Sequence, residues 1–539
     1  MNKKEFNLAM HKRTISGRLL VIVIIIFTFL TTAFNPSRIV ARDSAFTRSG
    51  TGPLYWISYE YQYDNDTFLP YSRWLANVNW FAQNFMPYGY QMVSTDGWIE
   101  GATQTNQNGY VLSHNDSWLP EHSWNKVTQE VNALGLDMGV YYNPLWVTQA
   151  AVNDPTKKVI GTSISIKDIV APGDFFTGNP NPSKHPYWVD VTKAGAEQYI
   201  KGYVDYFKQM NVKFLRIDFL SWFETGTDSD KIVGISHGSA NYETALRWMS
   251  EAAGDDIELS FVMPHLKNHA ATELKYGDMI RINEDVFAGG WEHLSGRRQT
   301  SKAVWSQWAN TFQGLTAFSD ISGHGSMVLD TDFQRLRKLN NDNEKQTSIS
   351  LSIMAGAPIA MADQYDTLAP ADYIFYQNEE LLALNKQGFV GKPLYKNKAA
   401  YPINQKDSER WAGQLPNGDW VLGLFNRSDS SKTVKVNLLK TFGSMDAFSV
   451  RDLWGGTELG LISVYKTTLA PHAVKVLKLT SPYRTGNYYN FSNPSNINSK
   501  ALHQQPIQKT SPIRKYGFGL LILLVILLIS TLLVNRKRS

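Results

Sequence analysis

One pattern constrains the fold of this 539-residue chain more than any other: from about Thr51 to Asp363, short β-rich runs alternate with amphipathic helical patterns. Strands separated by helices at this spacing favour βαβ units and a parallel sheet. Seven strands within roughly 310 residues come close to what a (β/α)8 barrel with long loops requires. The predicted strands are Leu54–Ser58, Gln91–Thr95, Asp137–Tyr142, Lys213–Phe219, Glu258–Val262, Met279–Asn283 and Pro358–Met361. The missing strand, fourth in the order, is assigned to Tyr187–Val191.

The chain is long enough to hold a second unit and terminal segments besides the barrel. After the barrel, short alternating strands with Asn-Gly and Gly-Gly turn signals predict a small antiparallel β-sandwich. A stretch rich in Asn, Ser, Gln and Pro follows, which is typical of a solvated linker. The predicted domains are a basic N-terminus with a signal peptide or membrane anchor (1–50), the barrel (51–388), the sandwich (389–482), the polar linker (483–516) and a transmembrane helix with a basic tail (517–539).

Two uncharged apolar runs lie near the ends of the chain. Leu19–Phe34 follows basic residues and suits a signal peptide or a short membrane anchor. Gly517–Val534 is long enough to span a bilayer, and Arg536-Lys537-Arg538 follows it. Because positive residues stay in the cytoplasm, everything between the two runs is expected outside the membrane. We therefore predict a protein of the cell membrane with an extracytoplasmic folded region.

Charge and cysteine content exclude several functions. The net charge of +5 comes from the two basic ends, so the body of the chain is mildly acidic and nucleic acid is not an expected partner. The chain contains no cysteine, which rules out disulfides, thiolate metal sites and a cysteine nucleophile. No dinucleotide or phosphate-binding fingerprint stands where a strand leads into a helix. We expect no cofactor and no metal, and the oligomeric state stays open.

Two predicted strands open into charged residues. The first contains FLRIDF, with Arg216 and Asp218 on one face, and the second reads MIRINED, with Arg281 and Asp285. Each carboxylate alone is more often a helix cap or part of a surface ion pair. Together at the carboxyl ends of barrel strands they suit glycoside cleavage, which needs two carboxyl groups. Arg216 is expected to hold Asp218 ionised by proximity and so to keep the pKa of Asp218 low.

Several short motifs occur in one order along the chain. They are Tyr88-Gly89-Tyr90 with Thr95-Asp96-Gly97-Trp98, Leu134-Gly135-Leu136 with Gly139-Val140-Tyr141, Arg216-Ile217-Asp218, Arg281 to Asp285, Asn417-Gly418-Asp419, Phe425-Asn426-Arg427, Val450 to Trp454, and Ala470-Pro471-His472. From Pro53 to Leu479 their order and spacing resemble glycoside hydrolase family 27, the α-galactosidase-like group, and its clan relatives.

The resemblance implies a retaining double displacement. Asp218 stands where the family has its nucleophile, and Asp285 stands where it has the acid/base, so their carboxyl groups should lie about 5–6 Å apart. Arg281 would contact the sugar, and Asp96 would accept hydrogen bonds from sugar hydroxyls. The remaining substrate-binding residues implied by the motifs are Arg216, Tyr141, Trp56 and Trp98, with Tyr141 and Trp56 shaping or stacking on the ring.

The chain departs from the family at three places that contact the sugar. Thr95-Asp96 replaces two consecutive Asp residues, and Ser260 to His265 lacks the Glu that reads the 2-position. The later Asp-Pro-Asp element is matched with Gly323 to Met327, which contains neither Asp. Since specificity follows from matched hydrogen bonds, these changes leave the sugar open.

Several functions fit these observations. An α-galactosidase-like hydrolase is the default, and an isomalto-dextranase-like or β-L-arabinopyranosidase-like hydrolase, or a transglycosylase acting on a polysaccharide, uses the same reacting residues. A carbohydrate-binding protein on a decayed barrel is an alternative of another class. Retention of Asp218, Arg281 and Asp285 argues against decay, because a binding module needs no acid/base pair. A structural envelope protein would leave the barrel motifs unexplained.

Overall fold

The computed structural model describes residues 42–97, 101–178, 181–228, 231–296, 308–395 and 406–481. The two predicted apolar runs, the linker and Trp98 lie outside these residues. No helix within the described ranges has the length and apolarity that crossing a membrane requires.

Eight parallel strands form a closed barrel and confirm the predicted (β/α)8 class. In chain order they are β1 (Leu54–Ile57), β2 (Met92–Ser94), β3 (Asp137–Tyr141), β4 (Val212–Ile217), β5 (Glu258–Phe261), β6 (Met279–Arg281), β7 (Val328–Asp330) and β8 (Ile359–Met361). Neighbours in the chain are neighbours in the sheet, and β1 also pairs with β8. Gln334, just beyond β7, pairs with Met361 and completes the ring.

The order of the strands corrects two predictions. Tyr187–Val189 is a strand, but it lies in a small antiparallel sheet with Trp146–Val147 and Val170–Phe175, outside the barrel. The predicted strand containing Asp218 is itself the fourth, and the barrel strand that was not predicted is β7. It follows the glycine-rich stretch Gly323 to Ser326, and too few apolar residues precede Asp330 for a strand pattern to stand out.

Strand side chains alternate between two cores, as the pleat of a closed barrel requires. Tyr55, Phe214 and Met279 belong to the cluster inside the barrel, whereas Trp56 and Leu215 belong to the larger cluster between strands and helices. Among the described residues, the α-helices of five or more residues are Ala45–Ser49, Tyr59–Asn65, Tyr71–Asn84, Trp124–Ala133, Gln149–Asn153, Ala196–Gln209, Leu220–Thr225, Ser239–Ala253, Thr311–Phe318, Asp342–Ala355, Glu379–Lys386 and Leu438–Phe442. Amphipathic helices of this kind cover the barrel with their apolar faces.

The predicted β-sandwich follows the barrel. Its strands are β9 (Lys392–Tyr395), β10 (Lys406–Gln414), β11 (Trp420–Phe425), β12 (Lys432–Asn437), β13 (Phe448–Asp452), β14 (Thr457–Ile462), β15 (Val464–Leu469) and β16 (Val474–Thr480). Six form one antiparallel sheet in the order β9-β10-β11-β16-β13-β14, and β12 pairs with β15. His472 connects this unit to the barrel, since its ring stacks on Trp291 at 3.9 Å and hydrogen-bonds Glu344 at 2.8 Å.

Candidate active site

Asp218 follows the buried strand β4 directly, and three neighbours fix its position. One carboxylate oxygen accepts the Tyr141 hydroxyl at 2.9 Å, and the other accepts the Phe219 N–H at 2.6 Å. The side chain of Asn143 donates to the Asp218 carbonyl oxygen at 2.7 Å. Both Tyr141 and Asn143 belong to the end of β3 or the loop after it, so the two neighbouring strands orient the carboxylate from their carboxyl ends.

The environment of Asp218 raises its pKa to about 6, first because of burial and then because of the charge of Asp285. Arg216 and the two donors at Phe219 and Tyr141 act in the opposite direction and do not outweigh burial. The expectation that Arg216 would keep this pKa low is therefore wrong. Its long side chain bypasses Asp218 and contacts carboxylates elsewhere in the barrel. At neutral pH Asp218 is still mostly ionised.

Asp285 lies in the loop after β6, four residues beyond Arg281, and accepts from its guanidinium at 2.9 Å. The side chain of Arg281 is buried, whereas that of Asp285 is 39% exposed. The charge of Asp285 raises the pKa of Asp218, so the two predicted reacting carboxylates lie close enough for their charges to interact. One is enclosed by the barrel, and the other faces the opening.

Two further carboxylates were not predicted from the sequence: Asp330 is the last residue of β7, and Asp332 lies just beyond it. Arg216 donates to Asp330 at 2.7 Å and to Asp332 at 3.1 Å. Arg281 contacts both carboxylate oxygens of Asp332 at 2.7 Å, and one of these oxygens also accepts the Val286 N–H at 2.8 Å. Buried charges of opposite sign thus compensate each other below the two reacting groups.

This geometry corrects the predicted match of Gly323 to Met327 with the family's Asp-Pro-Asp element. That segment precedes β7 and lies at the opposite end of the strand, where the Gly325 N–H donates to the Thr47 carbonyl oxygen at 2.6 Å. Asp330-Thr331-Asp332 provides both carboxylates at the expected end. The sequence signal was present, because two apolar residues open into Asp-x-Asp just as β4 and β6 open into charged residues.

Asp96 follows β2 and reaches the same cluster. Its carboxylate lies 3.1 Å from the Nε atom of Arg216, and its N–H donates to the Ser58 hydroxyl at 3.0 Å. Burial raises the pKa of Asp96 to about 7, with Arg216 opposing the shift and Asp218 adding to it. Near neutral pH this carboxyl can therefore donate or accept a hydrogen bond, as contact with a sugar hydroxyl requires.

The structure explains the departure at Thr95. Its hydroxyl is buried and accepts the Tyr141 N–H at 3.1 Å, so the side chain ties β2 to β3. It therefore supports Tyr141, which in turn donates to Asp218. The first of the two consecutive family Asp residues has thus been replaced by a residue whose hydroxyl contacts the neighbouring strand rather than the opening.

Aromatic residues line the site differently from the prediction. Trp56 is 1% exposed, lies in the layer between strands and helices against Trp74, and donates to the Asp363 carbonyl oxygen at 2.9 Å. It therefore has no open face for a sugar ring. The half-exposed Tyr59, three residues later, stacks on Phe333 with ring centroids 4.0 Å apart. The pleat of β1 turns Trp56 away from the opening, and Tyr59, at the start of the following helix, lies there instead.

Tyr59 lies close to the charged centre. Burial and the charges of Asp285, Asp332 and Asp96 raise its pKa far above the ordinary range of tyrosine. Its phenol therefore stays protonated and can donate a hydrogen bond. The ring is held between Phe333 and Tyr63, whose centroid lies 5.3 Å away. This arrangement gives a rigid aromatic surface next to the predicted acid/base.

An apolar wall replaces the family segment that reads the 2-position. Val262 and Met263, after β5, pack together with Phe219 and Trp222, after β4. The rings of Phe219 and Trp222 meet edge to face with centroids 4.9 Å apart. A carboxylate at this position would lie against apolar neighbours without a partner, so the wall suits a sugar face rather than a hydroxyl.

Within the described ranges, no group of three His, Asp or Glu side chains is arranged to hold a metal ion. The two histidines four residues apart in the sequence point to different partners. His265 lies 3.0 Å from the Thr225 hydroxyl, and His269 lies 2.9 Å from Asp320.

The sandwich and the whole chain resemble known glycosidases. Residues 405–479 match the family model described as the alpha galactosidase C-terminal beta sandwich domain. An isomalto-dextranase of Arthrobacter globiformis is 45% identical over 460 residues, covering 84% of this chain and 71% of that protein. A probable alpha-galactosidase D of Aspergillus niger is 26% identical over 178 residues, covering 32% of this chain and 26% of that protein.

Solved structures extend the likeness to the fold. The isomalto-dextranase of Arthrobacter globiformis complexed with panose has a TM-score of 0.79 at 46% identity, covering 83% of this chain and 75% of that one. A family 27 β-L-arabinopyranosidase of Geobacillus stearothermophilus has a TM-score of 0.64 at 19% identity, covering 82% and 100%, and shares the fold. The chain therefore belongs to glycoside hydrolase family 27, the α-galactosidase-like group, and is a hydrolase of α-glycosidic bonds.

Proposed function

We propose that this chain is a retaining hydrolase that cleaves a dextran-like α-glucan, with Asp218 as the nucleophile and Asp285 as the general acid/base. The observation that carries the chemistry is the pair of carboxylates that follow β4 and β6, one half-buried and held by Tyr141 and Phe219, the other more exposed and held by Arg281. Two carboxyl groups on opposite sides of a glycosidic bond are the requirement of this reaction.

In the first step, an oxygen of Asp218 attacks the anomeric carbon, and the bond to the leaving oxygen breaks as that oxygen takes the proton of Asp285. Formation of the ester removes the negative charge of Asp218. In the second step, the ionised Asp285 takes a proton from water, whose oxygen attacks the same carbon and releases Asp218. Because the charge of one carboxylate disfavours that of the other, the loss of charge at Asp218 favours the change of role at Asp285.

The substrate class is supported by the surroundings of the pair. The partly exposed rings of Phe219 and Trp222, which pack on the buried Val262 and Met263, offer apolar surface to sugar rings. The isomalto-dextranase that is 45% identical over 84% of this chain acts, by its name, on dextran. Galactosides, which the family resemblance made the default, become the alternative.

Product analysis tests this proposal. The purified protein is incubated with dextran, an aryl α-glucoside, an aryl α-galactoside and an aryl β-L-arabinopyranoside, and early products are identified by chromatography and proton NMR. We expect turnover of dextran with release of an α-configured short oligosaccharide. Preferred turnover of the galactoside would overturn the substrate, and a β-configured first product would overturn the retaining mechanism.

Matched variants test the residues. Asp218→Asn and Asp285→Asn should abolish or strongly reduce dextran turnover. Asp137→Asn is the control, since it removes an exposed carboxylate from the opposite end of the neighbouring strand β3. Full activity of Asp218→Asn would exclude it as the nucleophile.

We also propose that the enzyme is held at the outer face of the cell membrane. The support is the sequence of Leu19–Phe34 and Gly517–Val534, with basic residues flanking both. The enzyme produced in cells should sediment with membranes, and added protease should release the barrel from intact cells. Removal of 517–539 should move activity to the soluble fraction, and unchanged sedimentation would contradict anchoring by this segment.

A further inference from the structure

Arg335 is a fully buried arginine next to the site that the mechanism above does not use. It lies just beyond β7 and donates Nε to Glu60 at 3.0 Å and Nη1 to the Phe287 carbonyl oxygen at 3.1 Å. Its Nη2 donates to both carboxylate oxygens of Asp64, at 2.8 and 2.7 Å. The side chain of Arg335 is 0% exposed, and its contact with Glu60 is fully buried, whereas Asp64 is 28% exposed.

The three partners belong to two segments that carry site residues. Phe287 comes two residues after Asp285 in the loop after β6. Glu60 and Asp64 belong to the helix Tyr59–Asn65, which begins at the aromatic residue of the opening. Arg335 therefore joins the loop of the acid/base to the helix of Tyr59.

The loop of Asp285 needs such a contact because its own packing is weak. Phe287 is 40% exposed and has a φ of 47°, a left-handed conformation that is unfavourable for a bulky residue. Two glycines follow with φ of 80° and 94°. A strained and exposed turn persists only where its surroundings hold it. Here the holding contacts include the Val286 N–H, which donates to Asp332, and the Phe287 carbonyl oxygen, which accepts from Arg335.

An arginine is needed to make all of these contacts at once. Its planar fork reaches Glu60, Asp64 and Phe287 from one group, and the guanidinium also lies 5.6 Å from the ring centroid of Tyr63. Lysine keeps the charge but presents one flexible ammonium, which cannot span three directions with the same geometry. Arg335→Lys should therefore retain the neutralisation of the two acids and loosen the loop.

We propose that Arg335 is a positioning residue for the general acid/base. It holds the Phe287 carbonyl group, and thereby keeps Asp285 where it can protonate the leaving oxygen. This inference rests on the proposed function, in which Asp285 is the acid.

Leaving groups of different acidity test it. A poor leaving group needs the proton of Asp285 in the first step, whereas an activated aryl group such as 2,4-dinitrophenol leaves without it. For Arg335→Lys we expect kcat/KM on dextran to fall about tenfold or more, and the rate of the first step on the activated glycoside, in a pre-steady-state burst, to fall less than about threefold. A general loss of structure would lower both equally, and equal losses or no loss would overturn the inference.

Arg337→Lys is the matched control. Arg337 pairs with the same Glu60 at 2.7 Å and with Asp64, and its described side-chain contacts are with that helix rather than with the loop. Arg337→Lys should lower kcat/KM on dextran and the rate of the first step on the activated glycoside by the same small factor. Asp285→Ala is the reference, because it must show the same dependence on leaving group. If it does not, the proposed role of Asp285 fails, whereas a dependence in Asp285→Ala without one in Arg335→Lys refutes only the role of Arg335.

A second measurement excludes indirect effects. In an Asp285→Ala background, Arg335→Lys should cause no further loss on dextran, because the group that it positions is gone. Additive losses would show that Arg335 acts elsewhere. If Arg335→Lys does not fold, Asp64→Asn, at a residue whose side chain is 28% exposed, should give a smaller effect with the same dependence on leaving group.

Discussion

The two carboxylates proposed to react are placed by different parts of the molecule. Asp218 follows a strand of six residues and receives hydrogen bonds from Phe219, Tyr141 and Asn143. Asp285 lies in a half-exposed loop and is held by a buried arginine. A group on a strand end is oriented by the barrel, whereas a group on a loop depends on the ion pairs below it. Substitutions that disturb the contacts of Asp285 should therefore leave the position of Asp218 largely unchanged.

The largest expected effect separates the two roles chemically. Asp218→Ala should lower kcat/KM by at least about 10³-fold, because no ester can form. With an activated α-glycoside, azide occupying the vacated space should attack from that side and give a β-glycosyl azide. Asp285→Ala still forms the ester, so azide should give the α-glycosyl azide. NMR of the products decides, and the same anomer from both variants would contradict the assignment of the two sides.

The next effect concerns the ion pairs that support the acid/base side. Asp332→Asn removes a buried charge shared by Arg216 and Arg281 and weakens the contact to Val286. Breaking a buried pair should lower the free energy of unfolding by about 3 kcal/mol. Chemical denaturation measures this loss.

The control for Asp332→Asn is Asp372→Asn, which breaks a single ion pair with Lys345, away from the site and still partly exposed. It should lose no more than about 1 kcal/mol. Similar losses in both variants would mean that the cluster below the reacting groups contributes no more than an ordinary ion pair.

The same contrast explains which residues the sequence could predict. The runs FLRID and MIRINED combine apolar residues with charged residues at a fixed end, so the sequence alone predicts Asp218 and Asp285 as the reacting pair, and the structure places both at the ends of barrel strands or just beyond them. The short strand Val328–Asp330 offers three residues after a glycine-rich segment, and no periodicity distinguishes it. Missing it displaced the fourth strand to Tyr187–Val191 and hid Asp330 and Asp332.

Side-chain direction could not be predicted from spacing. Arg216 shares a face with Asp218 in the sequence, yet its length carries the guanidinium across the barrel to Asp330. Trp56 lies in the first strand and Tyr59 just after it, and only the backbone decides which ring reaches the opening. The pKa of Asp218 rises for a related reason, because burial by the folded barrel outweighs a cation that the sequence places nearby.

A smaller effect tests how the hydrogen bond from Tyr141 influences the pKa of Asp218. Tyr141→Phe removes the hydrogen bond that lowers the pKa of Asp218, so this pKa should rise above about 6. The acid limb of the profile of kcat/KM against pH reports this group in the free enzyme and should move to higher pH. We expect a loss of about tenfold at pH 6 and a smaller loss at pH 8. An equal loss at both values would assign Tyr141 to sugar contact alone.

The smallest effect compares the stability contributed by the two carboxylates. The pKa of Asp218 rises from 3.8 to about 6 on folding, so the native state binds this proton more tightly than the unfolded state. As pH rises from about 4 to about 6, ionisation of Asp218 therefore lowers the free energy of unfolding, and the loss is complete above that window. Asp218→Asn removes the buried charge and should raise the free energy of unfolding by about 1 kcal/mol at pH 7.5, with little difference at pH 4.

Asp285→Asn is the matched variant for this measurement. Its carboxylate is exposed and paired with Arg281, so its removal should give no gain at pH 7.5. Denaturant titrations of both variants and the parent at the two pH values measure the contrast. An equal gain in both variants would mean that mutual repulsion, rather than burial of Asp218, dominates the stability of the pair. A gain confined to Asp218→Asn would mean that the desolvated charge of Asp218 lowers the free energy of unfolding, whereas the charge of Asp285 changes it little.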